Sequence, residues 1–156
     1  MADFFDRIMI LKSTSIFSEV STDDLRVVVE EMQEEMYFPG EHVFEINDPS
    51  DRMYIVLTGK IGISIHRDPN VKDFVSELGP GDCFGEMGPI EGAPRSGTAH
   101  VIEDSLLLYL SKPKLHGLIA NYPELALGLL RGMSMRVRQT NAKLISALKG
   151  PPPQKQ

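Results

Sequence analysis

Residues Phe84 to Ala99 read Phe-Gly-Glu-Met-Gly-Pro-Ile-Glu-Gly-Ala-Pro-Arg-Ser-Gly-Thr-Ala, a stretch too rich in glycine for an ordinary strand or helix. Gly85 and Gly88 let backbone amides approach a ligand closely, and a short helix starting near Glu86 aims unpaired N–H groups at an anion. Pro89 then falls in the first turn of that helix, where a missing N–H does little harm. Arg95 supplies a permanent charge and a planar fork of donors that matches phosphate oxygens, whereas Glu86 can only accept, as a sugar hydroxyl requires. A bare phosphate would be repelled by Glu86. A phosphodiester carrying a ribose uses both groups, so the pair selects a nucleotide-like ligand. Alone, Glu86 and Arg95 would be read as a surface ion pair worth about 0–1 kcal/mol. The surrounding glycines and the Pro94-Arg95-Ser96 turn favour the ligand site instead.

Other chemistry is sparse. Of the four histidines, His42, His66, His100 and His116, no two stand at a metal-ligand spacing, so no metal site is expected and all four read as surface or structural residues. His66 is expected in a loop and His116 on a helix. Cys83 has no basic neighbour in sequence and reads as a small buried residue rather than a redox centre. No Ser/His/Asp or Cys/His arrangement can be nominated, so a binder without turnover is expected, not an enzyme.

The elements that must position this segment follow from the flanking patterns. From Phe4 to Met32 the chain reads as helical, with Ser21 as an N-cap, Asp23 and Asp24 in the first turn, and Leu25, Val28, Val29 and Met32 on one face. From Glu35 to Tyr109, short apolar runs alternate with turn signals such as Pro39-Gly40, Asn47-Asp48-Pro49, Thr58-Gly59-Lys60 and Gly79-Pro80-Gly81-Asp82. That spacing predicts a β-sandwich or jelly roll, with its clearest strands at Met53–Leu57, Ile61–Ile65 and Leu106–Leu110. Ile61, Ile63 and Ile65 alternate, predicting one buried face. Ser111 caps a helix reaching about Ala120, and Asn121 with Glu124 three residues on resembles the cap of a last helix from about Pro123 to Leu148. The fold class is therefore α+β: a β-jelly-roll or sandwich with flanking N-terminal helices and a long C-terminal helix.

Along that last helix Leu130, Met133, Val137, Thr140, Leu144 and Ala147 recur at the three-four spacing of a coiled-coil seam. Two readings stand: a homodimer through this seam, or a stripe packing back onto the β-domain. The length of 156 residues suits one domain, assigned to residues 1–149, with a disordered tail at 150–156 whose prolines cannot continue a helix. The formal charge of −6 opposes a surface built to track nucleic-acid phosphates. No apolar run approaches the roughly 20 residues of a membrane span, and residues 1–5 lack a secretion signal's basic start. One cysteine cannot form an internal disulfide. A soluble cytoplasmic protein without membrane insertion is expected.

The glycine-rich segment resembles the phosphate-binding cassette of the cyclic-nucleotide-binding domain family, whose pattern runs Phe-Gly-Glu, two or three small or apolar residues, then Pro-Arg-Ser/Thr/Ala. The turns Pro39-Gly40, Leu57-Thr58-Gly59 and Leu78-Gly79-Pro80-Gly81-Asp82 come in the expected order, so the resemblance runs from about Ile16 to Leu148. It implies that Glu86 accepts from the ribose 2′-hydroxyl, that Arg95 pairs with the cyclic phosphate, and that the amides of Gly85, Gly88 and Ser96 complete the cradle. Ser96 stands where cyclic-GMP binders often carry threonine and bacterial cyclic-AMP receptors serine, which points to cyclic AMP with cyclic GMP as the alternative. The last helix is similar to the central helix of the catabolite-activator type, which places Thr140 against the adenine amino group and Asn141 toward a partner subunit's ligand. The implied ligand set is Gly85, Glu86, Met87, Gly88, Arg95, Ser96, Gly97 and Thr140. Three positions depart from the pattern: Pro89 replaces an apolar residue, Glu91 adds a charge, and Gly97 removes a methyl near the base. The transcription factors of this type continue into a helix-turn-helix, whereas here a proline run follows, so no DNA binding by this chain alone is expected. The expected function is regulatory, with ligand binding transmitted through the C-terminal helices. The alternative is an interaction module that keeps the fold without a ligand.

Overall fold

The computed structural model describes residues 3–150, so the expected tail beyond Gly150 lies outside the described residues. The chain opens with α1 (Phe4–Ser13) and α2 (Thr22–Glu31). Reciprocal bonds between Asp3 and Asp6 cap α1, and Ser21 caps α2 by accepting from the Asp24 N–H at 3.2 Å. Leu25, Val28 and Val29 face inward from α2, as their spacing predicts.

Eight strands follow: β1 (Gln33–Tyr37), β2 (His42–Phe44), β3 (Arg52–Thr58), β4 (Ile61–Ser64), β5 (Phe74–Leu78), β6 (Cys83–Phe84), β7 (Thr98–Val101) and β8 (Ser105–Ser111). They form two antiparallel sheets of order β1-β8-β3-β6 and β2-β7-β4-β5, the expected sandwich. The short helix α3 (Met87–Glu91) interrupts the run between β6 and β7. After β8 come α4 (Lys112–Asn121) and α5 (Pro123–Lys149).

Two cores share β3 and β8. Tyr54, Val56 and Leu107 point between the sheets, where they meet Tyr37, Ile61, Phe84, Ala99 and Val101. Their alternate neighbours Met53, Ile55, Leu108 and Leu110 point the other way, into a core with Phe17 of the α1–α2 connection and Leu25, Val28, Leu115, Leu125 and Leu129 of the helices. Period-two alternation thus feeds both layers, each buried aliphatic side chain contributing about 1.5–3 kcal/mol. The helices are thereby tied to the same strands that support the glycine-rich segment.

Three expectations change. In β4 the register slips between Ile63 and Ser64, so the strand ends at Ser64 and Ile65 is exposed. Gly62 and Ser64 are also buried, because Phe74 and His100 cover that face; the strand has two buried faces, not one. Asn121 is the last residue of α4, its Nδ2 donating to the Gly117 carbonyl at 2.8 Å, and does not cap α5. The N-cap is Tyr122, with Pro123 opening the helix. The proposed seam also divides. Met133 packs into the helical core, while Leu130 and Val137 are 63% and 59% exposed. Gly132 explains the inward side: a Cβ there would stand 2.4 Å from the Ile16 carbonyl oxygen, so only glycine permits this approach of α5 to the α1–α2 connection.

Candidate functional site

A cavity of about 340 Å³ is lined by Phe44, Ser50, Ile63, Ser76, Leu78 and Cys83 together with the glycine-rich segment: Phe84, Gly85, Glu86, Gly88, Glu91, Ala93, Pro94, Arg95, Ser96 and Gly97. One further residue completes it, Arg136 of α5. Small-molecule sites commonly have this volume.

The predicted short helix is α3, with Glu86 at its N-cap and Pro89 in its first turn. No side chain caps it, so its first-turn N–H groups have no side-chain partner from the cap residue. The Glu86 carboxylate instead turns to Arg136, with which it forms an ion pair. Glu86 is 2% exposed, and burying a carboxylate without a partner would be costly. Among the described residues the Glu86–Arg95 surface ion pair, disfavoured in sequence against a ligand site, is not formed; the partner of Glu86 is Arg136, fifty positions downstream.

Arg95 is 5% exposed and lies with its guanidinium 4.1 Å over the Phe44 ring. Its Nη1 donates to the Gly85 carbonyl at 2.7 Å and its Nη2 to the Arg52 carbonyl at 2.5 Å. Nε is buried without a partner among the described residues, so the fork keeps donors in reserve. Burial pushes the Arg95 guanidinium down from the ordinary arginine range, and Tyr54, Asp51, Asp48 and Glu86 push it back. Backbone bonds hold the turn: Arg95 N donates to the Asp48 carbonyl at 2.8 Å and Asn47 N to the Arg95 carbonyl at 2.9 Å.

Gly88 packs against Ser50. A Cβ at Gly88 would lie 2.1 Å from the Ser50 Oγ and 3.1 Å from the Ala93 carbonyl, so the segment closes only around a residue without a side chain. Ser50 Oγ is itself buried without a hydrogen bond among the described residues, a polar atom beside the cradle. Gly97, noted in sequence as a departure from the family pattern, has a packing cause: a Cβ there would stand 2.6 Å from the Ser64 carbonyl oxygen of β4. Strand packing therefore excludes a methyl at that position. The backbone of Met87 opens α3, while its side chain lies outside what the structure describes.

Thr140 does not line this cavity. It lines an adjoining cleft of about 380 Å³, with Ser13, Ser15, Gly81, Asp82, Gln139 and Lys143, which shares Leu78, Cys83 and Arg136 with the first. The inward face of α5 is apolar at Leu125, Gly128 and Leu129, then polar at Arg136, Gln139, Thr140 and Lys143 where the cleft lies. The Thr140 hydroxyl donates to the Arg136 carbonyl at 2.9 Å, which leaves its oxygen free to accept. Cys83, partly exposed at the junction of the two spaces, is held well above the usual thiol range by desolvation and then by the negative charge of Glu86. Among the described residues no group of three or more His, Cys, Asp and Glu is placed to hold a metal ion, and no helix is long and apolar enough to cross a membrane.

Arg136, Ser50 and Phe44 were not identified from sequence. For Arg136 the available signal was a cation four residues before Thr140 on the same helical face. Ser50 and Phe44 lie in segments whose approach to the cradle depends on sheet pairing.

Residues 34–122 match the profile of the cyclic nucleotide-binding domain. The chain is 30% identical over 135 residues to a CRP-like cAMP-activated global transcriptional regulator of Mycobacterium tuberculosis, covering 86% of this chain and 60% of that one. The crystal structure of the N-terminal domain of a Streptomyces coelicolor transcriptional regulator superposes with a TM-score of 0.74 at 26% identity, covering 85% of this chain and 95% of that domain. The fold is also that of the regulatory domain of Toxoplasma gondii PKA crystallised with cAMP, with a TM-score of 0.68 at 24% identity and coverage of 76% and 46%.

Proposed function

Because the chain belongs to the cyclic nucleotide-binding domain family, we propose that this cavity takes a cyclic nucleotide, cyclic AMP in preference to cyclic GMP, and that the occupied site repositions the outer part of α5. The observation that carries the proposal is the buried Glu86 carboxylate, held among the glycines of the cradle and paired with a residue of α5. In the reading we favour, a ribose hydroxyl donates to Glu86, while the cyclic phosphate meets the α3 N-terminus and the spare donors of Arg95. The ribose then shares Glu86 with Arg136. A ligand can bias α5 only through such a difference in contacts between two arrangements.

The preference for adenine is supported by Thr140. With its hydrogen directed to the Arg136 carbonyl, its oxygen can accept from the 6-amino group of adenine, whereas guanine presents at that position a carbonyl that can only accept. The relative named as cAMP-activated points the same way. A second copy of the chain is the proposed partner of α5, since Leu127, Leu130, Val137, Leu144 and Leu148 form an exposed apolar stripe. The stripe is shifted from the predicted seam, leaving Met133 and Thr140 facing inward.

Thermal melting with cyclic AMP, cyclic GMP, AMP and inorganic phosphate tests the proposal. A rise in melting temperature with cyclic AMP above the other three supports it, because a ligand that binds only the folded state stabilises it by mass action. No shift with either cyclic nucleotide supports the ligand-independent interaction module.

A further inference from the structure

We propose that a pair of histidines in edge-to-face contact, His42 on β2 and His100 on β7, makes nucleotide binding acid-sensitive: protonation of the buried His100 loosens β2 from β7 and so disturbs the cradle. The inference rests on the cavity being the nucleotide site.

The pair is a register pair across the two antiparallel strands, with ring centroids 4.5 Å apart in an edge-to-face arrangement. His100 is 3% exposed, with Nε2 3.0 Å from the Ser64 Oγ of β4 and its ring 5.1 Å from that of Phe74 of β5. Charged groups meet the pair unevenly. On β2 His42 faces His100 directly, and its Nδ1 lies 3.1 Å from the Glu45 carboxylate. Lys72, from the β4–β5 connection, and Glu41, from the β1–β2 turn, line the small space beside both rings. Among the described residues no carboxylate bonds to His100, so a positive charge there has no direct ion-pair partner. Burial, and then His42 and Lys72, push the His100 imidazole below its ordinary range.

A depressed histidine contributes stability that is fully present above the ordinary value of about 6.5 and is lost as pH falls through its folded value. The strand that bears the strain is weakly held. β2 has three residues, lies at the edge of its sheet, and among the described residues pairs with β7 alone. Its register slips between His42 and Phe44, and the Phe44 ring lies under the Arg95 guanidinium. β7 begins two residues after Ser96, and its Thr98 Oγ1 accepts from the Ile46 N–H at 3.0 Å. Both strands therefore run from the histidines to the cradle within a few residues. The cyclic phosphodiester remains ionised across this range, so the ligand adds no titration of its own.

The test is the affinity for cyclic AMP between about pH 7.5 and pH 5.5 in the wild-type chain, in His100→Gln and in His42→Gln, together with amide exchange of β2 and β7 in the ligand-free protein. We expect wild-type affinity to fall roughly three- to tenfold, as a shift of about half to one pKa unit between free and bound states requires. Faster exchange at residues 42–44 and 98–101 should accompany it. His100→Gln, which keeps a partner for Ser64 but cannot charge, should show a flat profile, and His42→Gln a shallower one. If wild-type affinity is flat, or if His100→Gln is as steep as wild type, the inference is overturned. Failure to bind at any pH overturns the nucleotide reading instead, while exchange still decides whether the pair responds to acid.

Discussion

Glu86 and Arg136 form an ion pair that joins the N-cap of the cradle helix to the middle of α5. Glu86 is buried and Arg136 partly exposed, so the pair is asymmetric: the carboxylate depends on the cation more than the reverse. Arg136→Ala should lower the stability of the ligand-free protein by about 1–3 kcal/mol, because a buried carboxylate loses its partner. Adding Glu86→Gln should recover part of that loss. Urea unfolding of the two single variants and the double variant measures the coupling, and strictly additive effects would show that the pair contributes nothing.

Arg95→Ala should weaken cyclic AMP binding by about 2–5 kcal/mol, since phosphate then enters a site with Glu86 and no matching fork. Titration calorimetry with equal affinities for this variant and wild type would remove Arg95 from the site.

Thr140→Val removes the oxygen and keeps the shape. Cyclic AMP binding should weaken by roughly 1–1.5 kcal/mol, about tenfold, with cyclic GMP little changed. Competition between the two nucleotides reads this directly. Equal losses for both would mean that Thr140 does not distinguish the bases.

The α5 stripe makes a separate prediction. Sedimentation velocity should find wild type as a dimer and Leu144→Glu as a monomer, the charge falling on a side chain already exposed in the single chain. A monomeric wild type ends the dimer reading, while nucleotide binding through the cavity is unaffected by that outcome.

Cys83 reports on the cavity. Its raised pKa keeps the thiol neutral near pH 8, so alkylation in the folded protein should be at least about tenfold slower than after unfolding. Cyclic AMP should slow it further by covering the junction where Cys83 is exposed. Labelling unaffected by saturating ligand would place the ligand elsewhere.

The cradle was legible because Gly85, Glu86, Gly88 and Arg95 stand close together in sequence and owe their geometry to local backbone rules. The same holds for Ser21, which caps its helix through a bond three residues long. Arg136 was not legible, because its partner is fifty residues away and no local pattern announces a pair of that separation. The stripe on α5 was ambiguous for a geometric reason. Leu130, Val137 and Leu144 recur every seven residues, and both an inward neighbour such as Met133 and an outward one such as Leu127 or Leu148 complete the spacing. Only the packing of Gly128 and Gly132 onto the α1–α2 connection fixes which side faces the domain. His42 and His100 likewise meet through strand register, which the turn signals between them do not specify.

The change in the inward face of α5 at Arg136 makes this helix mechanically uneven. Its first half is seated by Leu125, Gly128, Leu129 and Gly132, whereas beyond Arg136 no residue of it is buried. The outer thirteen residues, Val137–Lys149, extend about 20 Å at 1.5 Å per residue, so a tilt of about 10° at Arg136 carries the tip roughly 3.5 Å. The Glu86–Arg136 ion pair stands at the root of that overhang, so if the proposed ligand shifts it, a sub-ångström adjustment beside the cradle would be magnified at the far end, where Leu144 and Leu148 lie exposed.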